Sequence, residues 1–473
     1  MATFQLHNFG CRASQADGAA LKKQLLQAGF EEVRRPEASE IVVLNTCTVT
    51  ATADAEVRRL IRRIHRHNPQ CRILVTGCYA QRAPDEINKL PGVSWVVGNS
   101  HKYLVADLLR ESVERGGPYR ERISGGELPL VQIRETVHPP AEVRVGEIPE
   151  AFHFAPVFPD DRTRPTLKVQ DGCNARCSFC IIPAVRGRSR SLAPERVLEQ
   201  VRHLERQGYK EVVLSGINLG SYGRDLGQRL SFLGLLQAIL SGTSVARVRI
   251  SSIEPMDVGA PLIRLVAGEP RLAQHLHIPL QSGCDRTLRQ MNRRYWAAQY
   301  AERILAIRQQ IPDCGIGADV MVGFPGETDA DHAASVRFIE SLPFTYLHIF
   351  PYSPRPGTAA AARGDQVNCG VVRRRSEEIR AVIRAKRQAF LAAQVGRTLS
   401  ALTLDEMDEG TPVALSSNYL KIVLPGSPLA PNRLLLVRVG RAHQGLLYGC
   451  EERGTEINPQ ITQISQTQEH PSP

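Results

Sequence analysis

The sequence predicts an α/β chain in three folded parts: a parallel α/β domain over 1–110, a partial, open (β/α)6 barrel over 161–394, and a small antiparallel β-barrel over 395–462. Three observations carry this. Apolar runs alternate with amphipathic stretches from residue 3 to about 100; six further β-type runs recur from 166 to 350 with helices between them; and beyond 395 only strand-type runs and turns remain.

In the first part, strands are predicted over 4–7, 41–44, 72–75 and 93–97. Ile41-Val42-Val43-Leu44 and Ile73-Leu74-Val75 are unbroken apolar runs, as in strands covered on both faces. Val57, Leu60, Ile61 and Ile64 make one stripe at helical spacing, with Arg58, Arg59, Arg62, Arg63 and Arg66 mainly around the rest of the helix. Residues 111–160 carry Gly116-Gly117-Pro118, Gly125-Gly126 and Pro139-Pro140 and read as a connector. The barrel strands are expected at 166–170, 211–214, 245–250, 275–278, 317–322 and 346–350, separated by helices such as 194–207 and 300–310. Folds of this kind bind ligands at the C-terminal ends of their strands. A helix over 371–394 leads to strands near 399–404, 413–424 and 433–448, and 463–473 is a polar tail.

Composition narrows the function classes. At 473 residues, with 42% hydrophobic and 23% charged residues, the chain is neither a peptide nor disordered. A net charge of +11 suits a polyanionic partner such as RNA. No run reaches the roughly 18–20 apolar residues of a membrane helix, and Met1-Ala2-Thr3-Phe4-Gln5 does not open like a secretory leader, so the expected location is the cytoplasm, with no membrane partner. There, 11 cysteines, an odd number, read as metal ligands, catalytic thiols or core fillers rather than disulfides.

Six of them form two patterns. Cys173, Cys177 and Cys180 stand as C-x3-C-x2-C just after the first barrel strand, with no fourth Cys or His at ligand spacing. Three thiolates this close can share one cubic iron–sulfur cluster and leave an iron open for the amino and carboxylate groups of S-adenosylmethionine, whose reductive cleavage yields a 5′-deoxyadenosyl radical. A zinc knuckle wants four protein ligands, and a structural cluster would need a distant fourth cysteine. Cys11, Cys47 and Cys78 each follow a predicted strand of the N-terminal sheet, so three loops can bring them to one sheet edge as a second three-ligand set; the alternative is three small buried hydrophobes. Cys71, Cys284, Cys314, Cys369 and Cys450 show no such pattern and read as core or surface thiols.

At these residues the chain resembles the tRNA methylthiotransferases, radical S-adenosylmethionine enzymes with an N-terminal methylthiotransferase domain, a radical barrel and a C-terminal TRAM domain. The likeness runs over nearly the whole chain. Asn45-Thr46-Cys47-Thr48-Val49-Thr50, Thr76-Gly77-Cys78-Tyr79-Ala80-Gln81 and Gln170-Asp171-Gly172-Cys173 are most similar to the branch acting on N6-threonylcarbamoyladenosine at position 37, beside the anticodon. Further stretches are His277-Ile278-Pro279-Leu280-Gln281-Ser282-Gly283, Asp319 through Thr328, and Pro351 through Thr358. The first cysteine loop departs from the family's usual Gly-Cys-Lys-x-Asn, carrying Arg12 and Ser14, with Asp17 in place of a Glu.

The resemblance implies two [4Fe–4S] clusters, a tRNA anticodon stem-loop as partner, an electron donor such as flavodoxin or ferredoxin, and a monomer. It implies that the cluster on Cys173, Cys177 and Cys180 cleaves S-adenosylmethionine while the one on Cys11, Cys47 and Cys78 carries the inserted sulfur. Cofactor contacts are expected at the strand-end residues Gly216, Asn218, Glu254, Gln281, Ser282 and Asp319. RNA contacts are expected at Arg186 and Arg188, which follow the cluster loop, at Arg355 after the sixth barrel strand, and at Tyr419 and Lys421 in the C-terminal barrel. Other readings are methylthiolation of isopentenyladenosine or of ribosomal protein S12, and, from another class, a non-catalytic RNA-binding iron–sulfur protein.

Overall fold

The computed structural model describes residues 2–33, 39–114, 141–149, 163–227, 230–426 and 429–452. The expected tail at 463–473 and most of the expected connector lie outside the described residues. The chain forms two compact units, one of Met1–Phe158, Asp171–Arg190 and Ser353–Ala362, the other of Pro159–Gln170, Ser191–Tyr352 and Arg363–Pro473.

The first unit opens with β1 (Thr3–Asn8), α1 (Arg12–Gln27), β2 (Glu31–Glu32), β3 (Ile41–Thr46), α2 (Ala51–His67), β4 (Arg72–Gly77), α3 (Cys78–Arg82), α4 (Pro84–Asn88), β5 (Val93–Gly98), α5 (Val105–Glu114) and β6 (Glu142–Arg144). Its strands pair in the order β2-β1-β3-β4-β5-β6, and every pair is parallel. The unbroken apolar runs are explained by two cores, one on each face. Ile41 and Val43 pack with Phe4, Leu21, Leu25 and Val105. Val42 and Leu44 pack with Val57, Leu60, Ile61 and Ile64, the predicted stripe of α2. Cutting the fully buried Ile61 to alanine would leave a cavity there, at a cost of about 2–5 kcal/mol. Helix α2 starts where it does because Thr50 accepts a hydrogen bond from the Ala53 N–H. Edge strands β2 and β6 were not foreseen: both are short and at the surface, so neither carries an apolar run, and β6 lies in the stretch read as a connector.

The chain continues through β7 (Thr166–Lys168), β8 (Gln170–Asp171), α6 (Ile182–Arg186), β9 (Arg190–Ser191), α7 (Pro194–Arg206), β10 (Glu211–Ser215), α8 (Phe232–Gly242), β11 (Arg247–Ile250), α9 (Ala260–Gly268), β12 (His275–His277), α10 (Asp285–Gln290), α11 (Ala297–Gln310), β13 (Gly315–Val322), α12 (Asp329–Ser341), β14 (Tyr346–Pro351) and α13 (Cys369–Ala392). In the second unit, β7, β10 and β11 form one parallel sheet and β12, β13 and β14 another. A single parallel bridge, Val248 to Leu272, joins them into the expected open six-strand array.

The last elements, β15 (Thr398–Asp408), β16 (Thr411–Ser416), β17 (Lys421–Val423), β18 (Leu434–His443) and β19 (Leu446–Glu451), close a barrel in the order β15-β16-β17-β19-β18. It is antiparallel except between β17 and β19. Five strands in a closed ring cannot all alternate in direction, so one parallel pair is required. Two predicted strands are each broken by a turn: at Tyr419, which takes the left-handed conformation, and at Gln444-Gly445.

Candidate metal centre

Strands β1, β3 and β4 are neighbours in register, Asn8 opposite Asn45 and Asn45 opposite Thr76, so the chain leaves all three at one sheet edge. Cys11 caps α1 there, Cys47 directly follows β3, and Cys78 opens α3. The loops are pressed together. Gly10 has φ +98°, and a Cβ on it would lie 2.5 Å from Cys47 Cβ and 2.9 Å from its Sγ. Gly77, also at φ +98°, would put a Cβ 2.4 Å from the Thr46 carbonyl oxygen. Only glycine fits either place.

Cys47 and Cys78 are buried and Cys11 is exposed. Burial pushes the Cys47 thiol up to about 12; Cys78 and Cys11 push it the same way, against the Val49 N–H and Arg186. Holding Cys47 as a thiolate in this buried place calls for positive charge or N–H donors beside it. The surroundings supply such donors. Asn99 Nδ2 donates to Cys78 Sγ at 3.4 Å, Arg186 Nε at 3.3 Å, and the Val49 N–H reaches Cys47 Sγ at 3.5 Å. A sulfur-only donor set with N–H groups aimed at the sulfurs fits an iron–sulfur cluster.

The second set lies in the same unit. Cys173, Cys177 and Cys180 are half-buried on the loop between β8 and α6. The Cys173 N–H donates to Gly187 O at 3.0 Å, the Ala175 N–H to Cys173 Sγ at 3.4 Å, and the Cys180 N–H to Cys177 O at 3.1 Å. The Ala360 N–H fixes the loop's middle through Ser178 O at 2.8 Å. This three-sulfur loop fits a cluster by the same chemistry.

In the second unit the expected cofactor contacts fall into separate groups. The Asn218 N–H donates to Gln170 Oε1 at 2.7 Å, and a Cβ on Gly216 would meet that same Oε1 at 2.9 Å. The Gln281 N–H donates to Asp319 O at 2.8 Å. Ser282 is buried, its hydroxyl 3.1 Å from that of Ser335, and Glu254 is ion-paired with Arg293.

Three expected RNA contacts need correction. Arg186 and Arg355 are 2% and 5% exposed and bound to carboxylates, Asp17 with Asp171 and Asp54 respectively. Buried and paired, neither guanidinium is presented to a phosphate. Tyr419 stacks on His275 with ring centroids 4.2 Å apart, so its ring is already engaged within the protein. Arg188 and Lys421 are exposed, Lys421 paired with Glu406.

Residues 3–98 match the family described as "Uncharacterized protein family UPF0004", and 167–339 match the radical SAM superfamily. Threonylcarbamoyladenosine tRNA methylthiotransferase MtaB of Bacillus subtilis (strain 168) is 34% identical over 447 residues, covering 93% of this chain and 94% of its own. The tRNA-2-methylthio-N(6)-dimethylallyladenosine synthase of Pelotomaculum thermopropionicum is 31% identical over 460 residues, covering 95% and 97%. The chain belongs to the tRNA methylthiotransferase family. As a radical SAM methylthiotransferase it is an enzyme, and its fold is shared with distant radical SAM proteins. The methyltransferase TsrM from Kitasatospora setae aligns with a TM-score of 0.52 at 16% identity, over 76% of this chain and 74% of that one.

Sequence reasoning missed several residues of this methylthiotransferase. Asn99, which donates to Cys78 Sγ, is a single polar residue with no local signature; Ser14 and Asp17 stand out in the first cysteine loop, but nothing near them in sequence points to Arg186 as their partner. His277 and His348 hold Asp319 Oδ1 from either side at 3.1 and 3.3 Å. Burial alone would raise the Asp319 carboxyl, but the two imidazoles keep it well below the usual carboxylate range. Here a signal existed: His275 with His277, and Tyr346 with His348, alternate on the face of their strands that carries Asp319.

Proposed function

We propose that this enzyme replaces the C2 hydrogen of N6-threonylcarbamoyladenosine at tRNA position 37 with a methylthio group. The observation that carries the reading is the presence, in one compact unit, of two separate three-thiol sets, each on loops that fit a [4Fe–4S] cluster. Their donor chemistry matches a reaction that must both abstract hydrogen and insert sulfur at an unreactive carbon. When bound, the two clusters and S-adenosylmethionine supply the reducing electron, the hydrogen-abstracting radical, and the sulfur and methyl groups.

The chain's own residues do the holding. Cys173, Cys177 and Cys180 would bind one cluster, and Cys11, Cys47 and Cys78 the other, with Asn99 donating to Cys78. Gly10 lets the first loop pass against Cys47. Gly216 and Asn218, with Gln281 and Asp319, would contact S-adenosylmethionine, whereas Ser282 and Glu254 already spend their polar groups on Ser335 and Arg293. Arg188 and Lys421 remain as exposed RNA contacts. The C-terminal barrel reads as a TRAM domain; the divisions at 1–110, 111–160, 161–394, 395–462 and 463–473 are part of the proposal, with 171–190 and 353–362 of the third grouping with the N-terminal unit. An electron donor such as flavodoxin or ferredoxin, an anticodon stem-loop substrate, a monomer and a cytoplasmic setting complete the proposal.

The threonylcarbamoyl substrate is carried over from relatives of that name in Bacillus subtilis and Aquifex aeolicus, 34% and 36% identical. The dimethylallyladenosine synthases, at 31% and 35%, favour a second reading on the isopentenyl nucleoside. Mass spectrometry of tRNA nucleosides from a deletion strain separates them by which methylthio nucleoside disappears. Within the enzyme, Cys177→Ser should abolish S-adenosylmethionine cleavage, whereas Cys47→Ser should keep cleavage and lose methylthiolation. Methylthiolated tRNA from the Cys47 variant would falsify this division of labour.

A further inference from the structure

We propose that Arg186 is a positioning residue that holds the Cys78 thiolate and raises the reduction potential of the cluster on Cys11, Cys47 and Cys78, fastening that site to the C-x3-C-x2-C loop. The inference rests on the two-cluster reading above. It starts from a placement that the sequence argued against: a guanidinium six residues past Cys180, expected to meet phosphate, is withdrawn from solvent.

Its nitrogens are all committed. Nε donates to Cys78 Sγ at 3.3 Å. Nη1 donates to both carboxylate oxygens of Asp171 at 3.0 and 3.2 Å. Nη2 donates to Ser14 Oγ at 3.2 Å and to Asp17 Oδ2 at 3.0 Å. Asp171 stands two residues before Cys173, and Gly187, next to Arg186, accepts the Cys173 N–H. Ser14 and Asp17 lie on the first turns of the helix that Cys11 caps. One side chain therefore spans both cysteine sets. Ser14 and Asp17 are the very places where the first loop departs from the family's usual residues, so in this chain the departures form the cradle.

The electrostatics give the consequence. Asp17 is also paired with Lys102 at 3.1 Å, so two carboxylates balance two cations and the guanidinium stays in place without help from solvent. A fixed cation with an N–H on a ligand sulfur stabilises the more negative, reduced state of an iron–sulfur centre and so raises its potential. Asn99 makes the second such bond, and its Nδ2 also donates to Val185 O at 2.9 Å, beside Arg186.

The test uses full-length protein with Cys173, Cys177 and Cys180 all changed to alanine, reconstituted anaerobically. About four irons per chain are expected. Dithionite then adds one electron per cluster through viologen mediators while paramagnetic resonance follows the midpoint. In that background Arg186→Met should shift the midpoint to more negative potential with iron retained, and Asn99→Ala should shift it the same way by less. If Arg186→Met does not fold, Arg186→Lys decides: it keeps the buried charge between Asp17 and Asp171 but loses the planar fork, and it should still move the midpoint negatively. A folded, iron-loaded Arg186→Lys or Arg186→Met protein with the parent's midpoint overturns the proposal, because a merely structural staple would change stability alone. A parent that binds no iron overturns the cluster reading, and this inference with it.

Discussion

Asp54 shows how much one buried side chain can carry. Its carboxylate accepts from Thr48 Oγ1 at 2.7 Å, Arg82 Nη2 at 2.9 Å and Arg355 Nη1 at 2.6 Å, just past the cap of α2. Asp54→Asn keeps the shape but strands the buried Arg355 charge, so it should cost about 3–5 kcal/mol. Urea denaturation followed by circular dichroism measures this; an unchanged midpoint would mean that the pair is not formed. Gly10 makes a different demand. Gly10→Ala forces a Cβ into Cys47 at a left-handed φ, so reconstituted protein should hold about four irons instead of about eight, with the Cys173 set still loaded. Iron analysis gives the answer directly.

At the scale of elements, strands β10 and β11 build a charged floor. Glu211, Arg247 and Arg249 are all buried, and Arg249 binds the Glu211 carboxylate through Nε at 2.7 Å. Burial alone would raise the Glu211 carboxyl, but Arg249, helped by Arg164 and Arg247, holds it at about 2 against an ordinary 4.5. A depressed carboxylate contributes stability that is complete above its unfolded value. That stability should be lost as pH falls from 4.5 towards 2. Arg249→Met should flatten this acid slope and cost about 3–5 kcal/mol at neutral pH, because it leaves Glu211 charged and short of its main partner. Acid titration of the two proteins by tryptophan fluorescence compares the slopes. The same arginine donates to Ser416 O at 3.1 Å and Ser417 O at 3.0 Å, so the floor also seats the C-terminal barrel.

For the molecule as a whole, the +11 charge bears on how tRNA is met. Binding should weaken steadily as salt rises, with the logarithm of affinity linear in the logarithm of salt concentration. Arg188→Ala and Lys421→Ala should each weaken tRNA binding and lower that slope by about one if each touches one phosphate. Filter binding at several salt concentrations checks it, and two variants with the parent's slope would remove both residues from the interface. No helix among the described residues is long and apolar enough to cross a membrane.

The sequence by itself determined the parallel sheet and the six-strand array, and it placed three cysteines after strands of that sheet and three on one loop. Those signals are local: apolar runs, helical stripes and thiols at fixed places after strands, each readable within a dozen residues. The breaks at Tyr419 and Gln444-Gly445 do carry turn residues, Ser417-Asn418 and Gly445, but the strand-type residues on either side read as continuous runs, and β2 and β6 escaped because an exposed edge strand needs no apolar pattern. Which charges go inside was decided only by the tertiary structure. Arg186 finds Asp17 across 169 residues of chain, and Arg355 finds Asp54 across 301. A guanidinium reads as solvated until a distant carboxylate arrives to neutralise it, and that meeting is a property of packing, not of neighbours in sequence.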